Sequence, residues 1–192
     1  MGSECLGRFR ASAFMQRGKY GLVVRRIQSE IPTVDELGLP PIIKELAMTK
    51  RGLVIFVGAT GTGKSTSLAA VVGYRNHNSR GHIISIEDPI EYIHHPKECA
   101  ISQREVGRDA ESFASALKAS LREDPDVILV GELRDLETVQ LAITAAETGH
   151  LVFGTLHTSG APNTLNRLID VFPAAQQGQV RSQLAESLRL VV

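Results

Sequence analysis

The stretch "GATGTGKST", residues 58–66, has residue types and spacing that point directly to phosphate chemistry. Gly58, Gly63, Lys64 and Ser65 satisfy the pattern G-x-x-x-x-G-K-[ST]. The nonapeptide joins an apolar run, 52–58, to a segment of helical pattern, 63–76, the strand-to-helix context a phosphate-binding loop requires. Glycine lets the backbone wrap closely around phosphate oxygens, and amides at a helix N-terminus favour an anion. Gly58, Ala59, Thr60, Gly61, Thr62, Gly63, Lys64, Ser65 and Thr66 are therefore assigned to nucleotide binding. Lys64 brings a mobile positive charge to the terminal phosphates and Ser65 a hydroxyl for Mg²⁺. Thr60, Thr62 and Thr66 add donors. ATP with Mg²⁺ is the expected ligand.

Hydrolysis needs acids on the far side of the terminal phosphate, and two segments offer them. "SIEDPIEY", 85–92, ends an apolar strand at Glu87 and Asp88 and carries Glu91 on the loop beyond. "DVILVGELRD", 126–135, has Gly131 where a strand-end Asp would be expected, followed by Glu132. In an open parallel sheet, ligands bind at the carboxyl ends of the strands. Glu91, on a loop, is the candidate general base for the attacking water. Glu132 has the reach to hold Mg²⁺ through a water or to orient the attacking one. Gly131 is expected to clear room where the backbone nears the nucleotide. A carboxylate taken singly is most often just solvated; the complete phosphate loop upstream favours function here. Glu87 and Asp88 remain open between helper and cap.

His150 and His157 bracket the run "HLVFGTLH". Seven residues of strand span roughly 23 Å, so both cannot touch one phosphate. His157, at the carboxyl end, is the catalytic candidate; His150 is structural. His94 and His95 are adjacent and diverge, so a surface loop is expected. Arg10, Arg25, Arg104, Arg122 and Arg134 are the candidates for neutralising transition-state charge.

These residues need a scaffold, and the pattern supplies one. Residues 7–28 read as two strands around a turn at "QRGK", with Phe9, Ala11 and Ala13 alternating against Arg8, Arg10 and Ser12. Residues 31–41 read as a connector with a short helix, where Thr33 and Glu36 have capping-box spacing. A helix over 42–50 follows. Strands are expected at 52–58, 82–88, 99–107, 126–131 and 150–157. Helices are expected at 63–76, 111–124 (capped by Asp109), 135–149 (closed by Gly149), Thr164–Val171 and Gln177–Leu190. Apolar strands alternating with helices imply an α/β fold with a mostly parallel sheet covered on both faces. The final "LRLVV" reads as an interrupted helix, and "MGS" as a cloning scar, so truncation is expected at both ends.

Composition is compatible with this. The chain has 192 residues, 43% apolar and 22% charged, ordinary for a globular domain. Lys+Arg and Asp+Glu both number 21, which argues against a nucleic-acid translocase with its basic face. Two cysteines, Cys5 and Cys99, exclude a disulfide framework or four-Cys zinc module. No apolar run approaches the ~18 residues of a membrane span.

Four blocks, "GATGTGKST", "SIEDPIEY", "DPDVILVGELRD" and "TGHLVFGTLHT", resemble in order and spacing the Walker A motif, aspartate box, Walker B motif and histidine box of the secretion/type IV pilus ATPase family. Within it the chain is similar to the PilT/PilU-like pilus retraction (twitching motility) ATPases, from Gly7 to Val192. Residues 48–76 resemble the PilU-like branch and 121–173 the PilT-like branch. The family's Walker B motif ends in Gly-Glu, so Gly131–Glu132 implies no degeneracy. The resemblance implies a RecA-like P-loop NTPase core over 51–192, C-terminally truncated. It implies a linker with short helices over 31–50 and, over 1–30, a β-hairpin left from a truncated N-terminal PAS-like domain. It makes Glu91 the catalytic glutamate, Glu132 the Walker B glutamate, and His150 and His157 the histidine-box pair. Arg10 and Arg25 match arginines that reach a nucleotide in trans. The implied activity is ATP hydrolysis by a hexameric motor driving type IV pilus retraction. The implied place is the cytoplasmic face of a bacterial inner membrane, peripheral, against an inner-membrane pilus platform protein, without nucleic acid or membrane insertion. With much of two domains missing, a poor ring and low turnover are expected. Alternatives are a type II secretion or pilus assembly ATPase and a weakly hydrolysing, nucleotide-binding accessory subunit of the retraction motor.

Overall fold

The computed structural model describes residues 8–27 and 30–192. Expectations placed on Met1–Ser3, Cys5, Gly7 and Gln28 lie outside the described residues.

Strands β1 (Arg8–Gln16) and β2 (Lys19–Ile27) pair antiparallel, with Gln16 opposite Lys19. The two turn residues, Arg17 and Gly18, both have positive φ, the condition for a two-residue turn whose twist matches the strands. The alternation in β1 predicts one covered face, but no described side chain of the hairpin is buried. Phe9, Phe14, Met15, Tyr20, Leu22, Val23 and Val24 are all exposed.

Residues 34–38 form turns rather than a helix. The Thr33–Glu36 pair nevertheless closes reciprocally: Glu36 Oε2 accepts the Thr33 N–H at 2.7 Å and Thr33 Oγ1 accepts the Glu36 N–H at 3.2 Å. Pro40 and Pro41 leave no room for helix to propagate past it. Glu36 is held below the usual carboxylate range by those bonds from Thr33.

The remaining elements are α1 (Ile42–Ala47), β3 (Gly52–Val57), α2 (Lys64–Asn78), β4 (Gly81–Glu87), β5 (Cys99–Glu105), α3 (Phe113–Ser120), β6 (Val127–Val130), α4 (Leu136–Glu147), β7 (Leu151–Leu156), α5 (Ala161–Asp170), α6 (Ala174–Ser187) and β8 (Leu188–Val191). The six-stranded sheet runs β5-β4-β6-β7-β3-β8, with every pairing parallel. Successive residues of each strand serve opposite faces. Leu53 and Ile55, with Ile128, Val130 and Val152, meet α3–α6 on one side. Val54 and Phe56, with Val127, Leu129 and Phe153, meet α1, α2 and Val34 of the linker on the other. Fully burying each such aliphatic or aromatic side chain contributes about 1.5–3 kcal/mol, which is why these strands read as continuous apolar runs.

Three local expectations are corrected. Helix α3 is capped by Ser112, not Asp109. Ser112 Oγ accepts the Ser115 N–H and Ser115 Oγ accepts the Ser112 N–H, each at 3.1 Å. Asp109 instead accepts the Glu105 N–H at 3.0 Å, closing the turn after β5. The C-terminal helix stops at Ser187, and the last residues form β8 on the free edge of β3. There Leu188 joins one apolar layer and Leu190 and Val192 the other, so pairing satisfies the β3 main chain and partly buries both sides of the segment. Finally, His94 is buried rather than on the surface, at 8% exposure.

Cys99 opens β5 and is buried, its Sγ donating to the Ser79 carbonyl at 2.9 Å. Burial pushes its thiol up. Among the described residues no helix is long and apolar enough to cross a membrane.

Candidate active site

A cavity of about 590 Å³ opens at the carboxyl edge of the sheet. The loop from β3 to α2 forms one wall. Gly63 sits at the helix N-cap with φ of 94°, a left-handed conformation that costs a side-chain-bearing residue and not glycine. No side chain caps α2, so its first amides keep their donors for a ligand. Thr60, Gly61, Gly63, Lys64, Ser65 and Thr66 line the cavity. Gly58, Ala59 and Thr62 do not; they shape the loop from behind. Lys64 Nζ donates to the Gly58 and Ala59 carbonyls at 2.8 and 2.9 Å, and Thr62 Oγ1 to the Ala59 carbonyl at 2.9 Å.

The opposite wall comes from β4, β6 and β7. It carries Glu87, Asp88, Glu91, Glu132, Arg134, Thr155 and His157. Glu132 Oε2 lies 2.7 Å from Arg134 Nη2, and Glu132 Oε1 3.7 Å from His157 Nε2. The Glu132 pairing holds the Arg134 guanidinium above its usual range. Thr155 of β7 braces Glu132 from both sides: its hydroxyl donates to the Gly131 carbonyl, and its carbonyl accepts the Leu133 N–H at 3.0 Å. Glu91 is exposed to the cavity. Glu87 is pushed up by burial, against hydrogen bonds from Ser85 and Gln103 and the Glu91 backbone, with the Glu91 charge adding to the rise. Tyr92, buried, ties this loop to the phosphate loop, its hydroxyl 3.0 Å from Thr66 Oγ1.

Sequence-level candidates therefore divide. Lys64, Ser65, Glu91, Glu132 and His157 converge on one cavity, and Arg25 of β2 joins them. Arg10, Arg104 and Arg122 do not line it; Arg104 is paired with Glu123 at 2.7 Å. His150 lies at the other end of β7, its Nδ1 3.0 Å from the Ala145 carbonyl. Gly131 lines the cavity, and the neighbouring strand adds a reason of its own for glycine. A Cβ there would sit 3.1 Å from the Ile86 carbonyl oxygen and 3.2 Å from Glu87 Cα, so the neighbouring strand end also requires the missing side chain. His94 lines both this cavity and a second of about 380 Å³ behind it. Burial pushes its imidazole down to about 4, with His95 adding to the effect. Tyr92 and Thr155 were missed by pattern; their roles depend on partners 26 and 24 residues away, which no local signal carries.

Comparisons with known proteins agree on a family. The profile described as "Type II/IV secretion system protein" matches residues 8–192. The type IV pilus ATPase PilU of Pseudomonas aeruginosa is 60% identical over 187 residues, 97% of this chain and 49% of that protein. The type IV pilus retraction ATPase PilT of the same organism is 54% identical over 97% of this chain and 54% of its own length. A crystal structure of the pilus retraction motor PilT with bound ADP superposes with a TM-score of 0.95 at 53% identity, covering 100% of this chain and 56% of that one. The chain thus spans about half the length of the curated relatives it matches. With a profile that matches every described residue and relatives more than half identical along 97% of its length, the chain belongs to the type II/IV secretion system protein family.

Proposed function

We propose that this chain is the ATP-hydrolysing portion of a type IV pilus retraction motor. The observation that carries the reading is the convergence of Lys64 and Ser65 with Glu91 and Glu132 on a single cavity. The names of the PilU and PilT relatives, and the ADP in the PilT crystal structure, support it.

The residues fit ATP with Mg²⁺. The uncapped N-terminus of α2 and the Lys64 amine suit a polyphosphate. The Ser65 hydroxyl and Glu132 carboxylate are hard oxygen donors of the kind that hold Mg²⁺, partly through water, together with substrate phosphates. Bound Mg²⁺ neutralises charge on the terminal phosphates. The chain's own residues do the rest. The 58–66 loop fixes the triphosphate, and Lys64 leaves its own carbonyls for the terminal phosphate. Glu91 accepts a proton from the water attacking in line. Glu132 would hold Mg²⁺ through a water, and His157 beside it stabilises the terminal phosphate. Arg25, which lines the cavity of its own chain, supplies a cation in cis, and Arg10, which does not line it, is left as the candidate for a cation from a neighbouring subunit.

In this reading residues 1–30 close a PAS-like domain, 31–50 link, and 51–192 form the RecA-like core. The whole protein works as a hexamer, peripheral at the cytoplasmic face of a bacterial inner membrane against a pilus platform protein. The test is phosphate release from ATP by wild type and Lys64→Ala. Loss of about 10²–10³-fold is expected from removing a preorganised cation at the developing charge. Undiminished turnover in the variant overturns the reading.

A further inference from the structure

The segment Ile90–His94 has neither helix nor strand pairing, yet side chains hold its main chain at three points. Glu105 Oε2 accepts the Ile90 N–H at 3.1 Å. Gln103 Nε2 donates to the Tyr92 carbonyl at 2.9 Å, and Gln103 Oε1 accepts the His94 N–H at 2.8 Å. The consequence is visible in the burial alternation: Glu91 and Ile93 face out, Tyr92 and His94 face in. The loop runs like a strand whose partner is a row of side chains.

That row has a definite origin. Gln103 and Glu105 are two apart on β5, so both project to one face. β5 is the edge strand, in parallel register with β4, Gln103 opposite Ser85 and Glu105 opposite Glu87. The two side chains grip the main chain one residue before Glu91 and again one and three residues after it. Gln103 does this with a single group that both donates and accepts, a property of the amide that neither a carboxylate nor an apolar side chain shares. Its Nε2 also reaches Glu87 Oε1 at 3.2 Å, which ties the loop's support to the end of β4.

We propose that Gln103, backed by Glu105, is the positioning residue for Glu91: it sets where the general base stands and touches neither nucleotide nor water. This rests on the reading of Glu91 as the base. Proton abstraction depends on geometry before pKa, and a misplacement of about 1 Å costs on the order of 100-fold in rate.

The experiment compares wild type, Gln103→Met, Glu91→Gln and the double variant in the full chain. It reads ATP turnover, ADP affinity by calorimetry, and amide exchange of the 88–98 segment. Gln103→Met is expected to lower kcat about tenfold or more while ADP Kd stays within about twofold, because the phosphate cradle is untouched. In the Glu91→Gln background the same change adds less than about twofold, since a residue acting through Glu91 has nothing left to position. Exchange at 90–94 speeds up in Gln103→Met. Gln103→Glu, which keeps the acceptor for His94 and loses both donated bonds, also loses kcat and serves if the Met variant folds poorly.

An unchanged kcat in Gln103→Met, an equal fall in both backgrounds, or a parallel fall in ADP affinity overturns the proposal. Unchanged exchange overturns it without any turnover measurement. A Glu91→Gln variant that turns over at the wild-type rate sinks the general-base reading instead, and is told apart by that single rate.

Discussion

The two walls of the cavity are built on opposite plans. The 58–66 loop organises itself: glycine conformation, the start of α2, and bonds from Lys64 and Thr62 to carbonyls of the same loop. The 88–94 loop is organised by others: Glu87, Gln103 and Glu105 from β4 and β5, and Thr66 through Tyr92. On the proposed function, the wall that fixes most of its own shape is the one that binds phosphate, and the wall whose shape is imported from β4 and β5 is the one that carries the general base, so binding and turnover would answer to different parts of the fold.

The largest effect that bears on this contrast is Glu91→Gln. Turnover should fall about 10²–10⁴-fold, the contribution of a positioned general base, while calorimetric ADP affinity holds. Wild-type turnover in that variant would move the chemistry to the phosphate loop and end the contrast. Lys64→Ala should lose both turnover and nucleotide affinity together, where a catalytic-wall variant loses turnover alone. Gly131→Ala comes next. The added methyl meets main-chain atoms of Ile86 and Glu87, so the melting curve should report a loss of about 1–3 kcal/mol, the usual cost of overpacking.

The smallest effects are in pH. Glu87 has its folded pKa raised by burial, so its stabilising contribution is fully present below the ordinary value and is lost as pH rises through the folded one. Glu87→Gln should therefore raise the melting temperature at neutral pH and leave it unchanged in acid. His94 has the opposite sign. Its folded pKa is lowered from 6.5 to about 4, so stability present above 6.5 drains away on acidification toward 4. His94→Gln should flatten that acid limb. Identical pH curves in wild type and both variants would show that neither group is buried as described.

What the chain discloses in its letters follows the same division. The phosphate loop was legible because its geometry is local: Gly63, Lys64 and Ser65 do their work within a few residues of one another. The apolar runs of β3, β4, β6 and β7 were legible because burial on both faces demands them. Glu91 was legible as an acid on the loop after one strand and Glu132 as an acid at the end of another, but not what holds them. Gln103 and Glu105 lie in an unremarkable "SQRE", and their partners are set by the β4–β5 register. β8 was mistaken for helix because "LRLVV" satisfies either period over so few residues; the open edge of β3 decided. Gly131 lines the cavity as expected of it, but its close approach to Ile86 and Glu87 is a tertiary fact that no local pattern carries. The hairpin's alternation predicted a covered side that the described residues do not provide.

Cys99 has a practical consequence. Its sulfur is sealed under the Ser79 carbonyl at the start of the strand that bears Gln103 and Glu105, and a sealed neutral thiol does not alkylate. Any maleimide found on it, located by peptide mass, must therefore have arrived during a moment when that border of the sheet peeled away. The molecule thus carries its own clock for how often its outermost strand lets go, and nucleotide should slow that clock if the two walls close on it together.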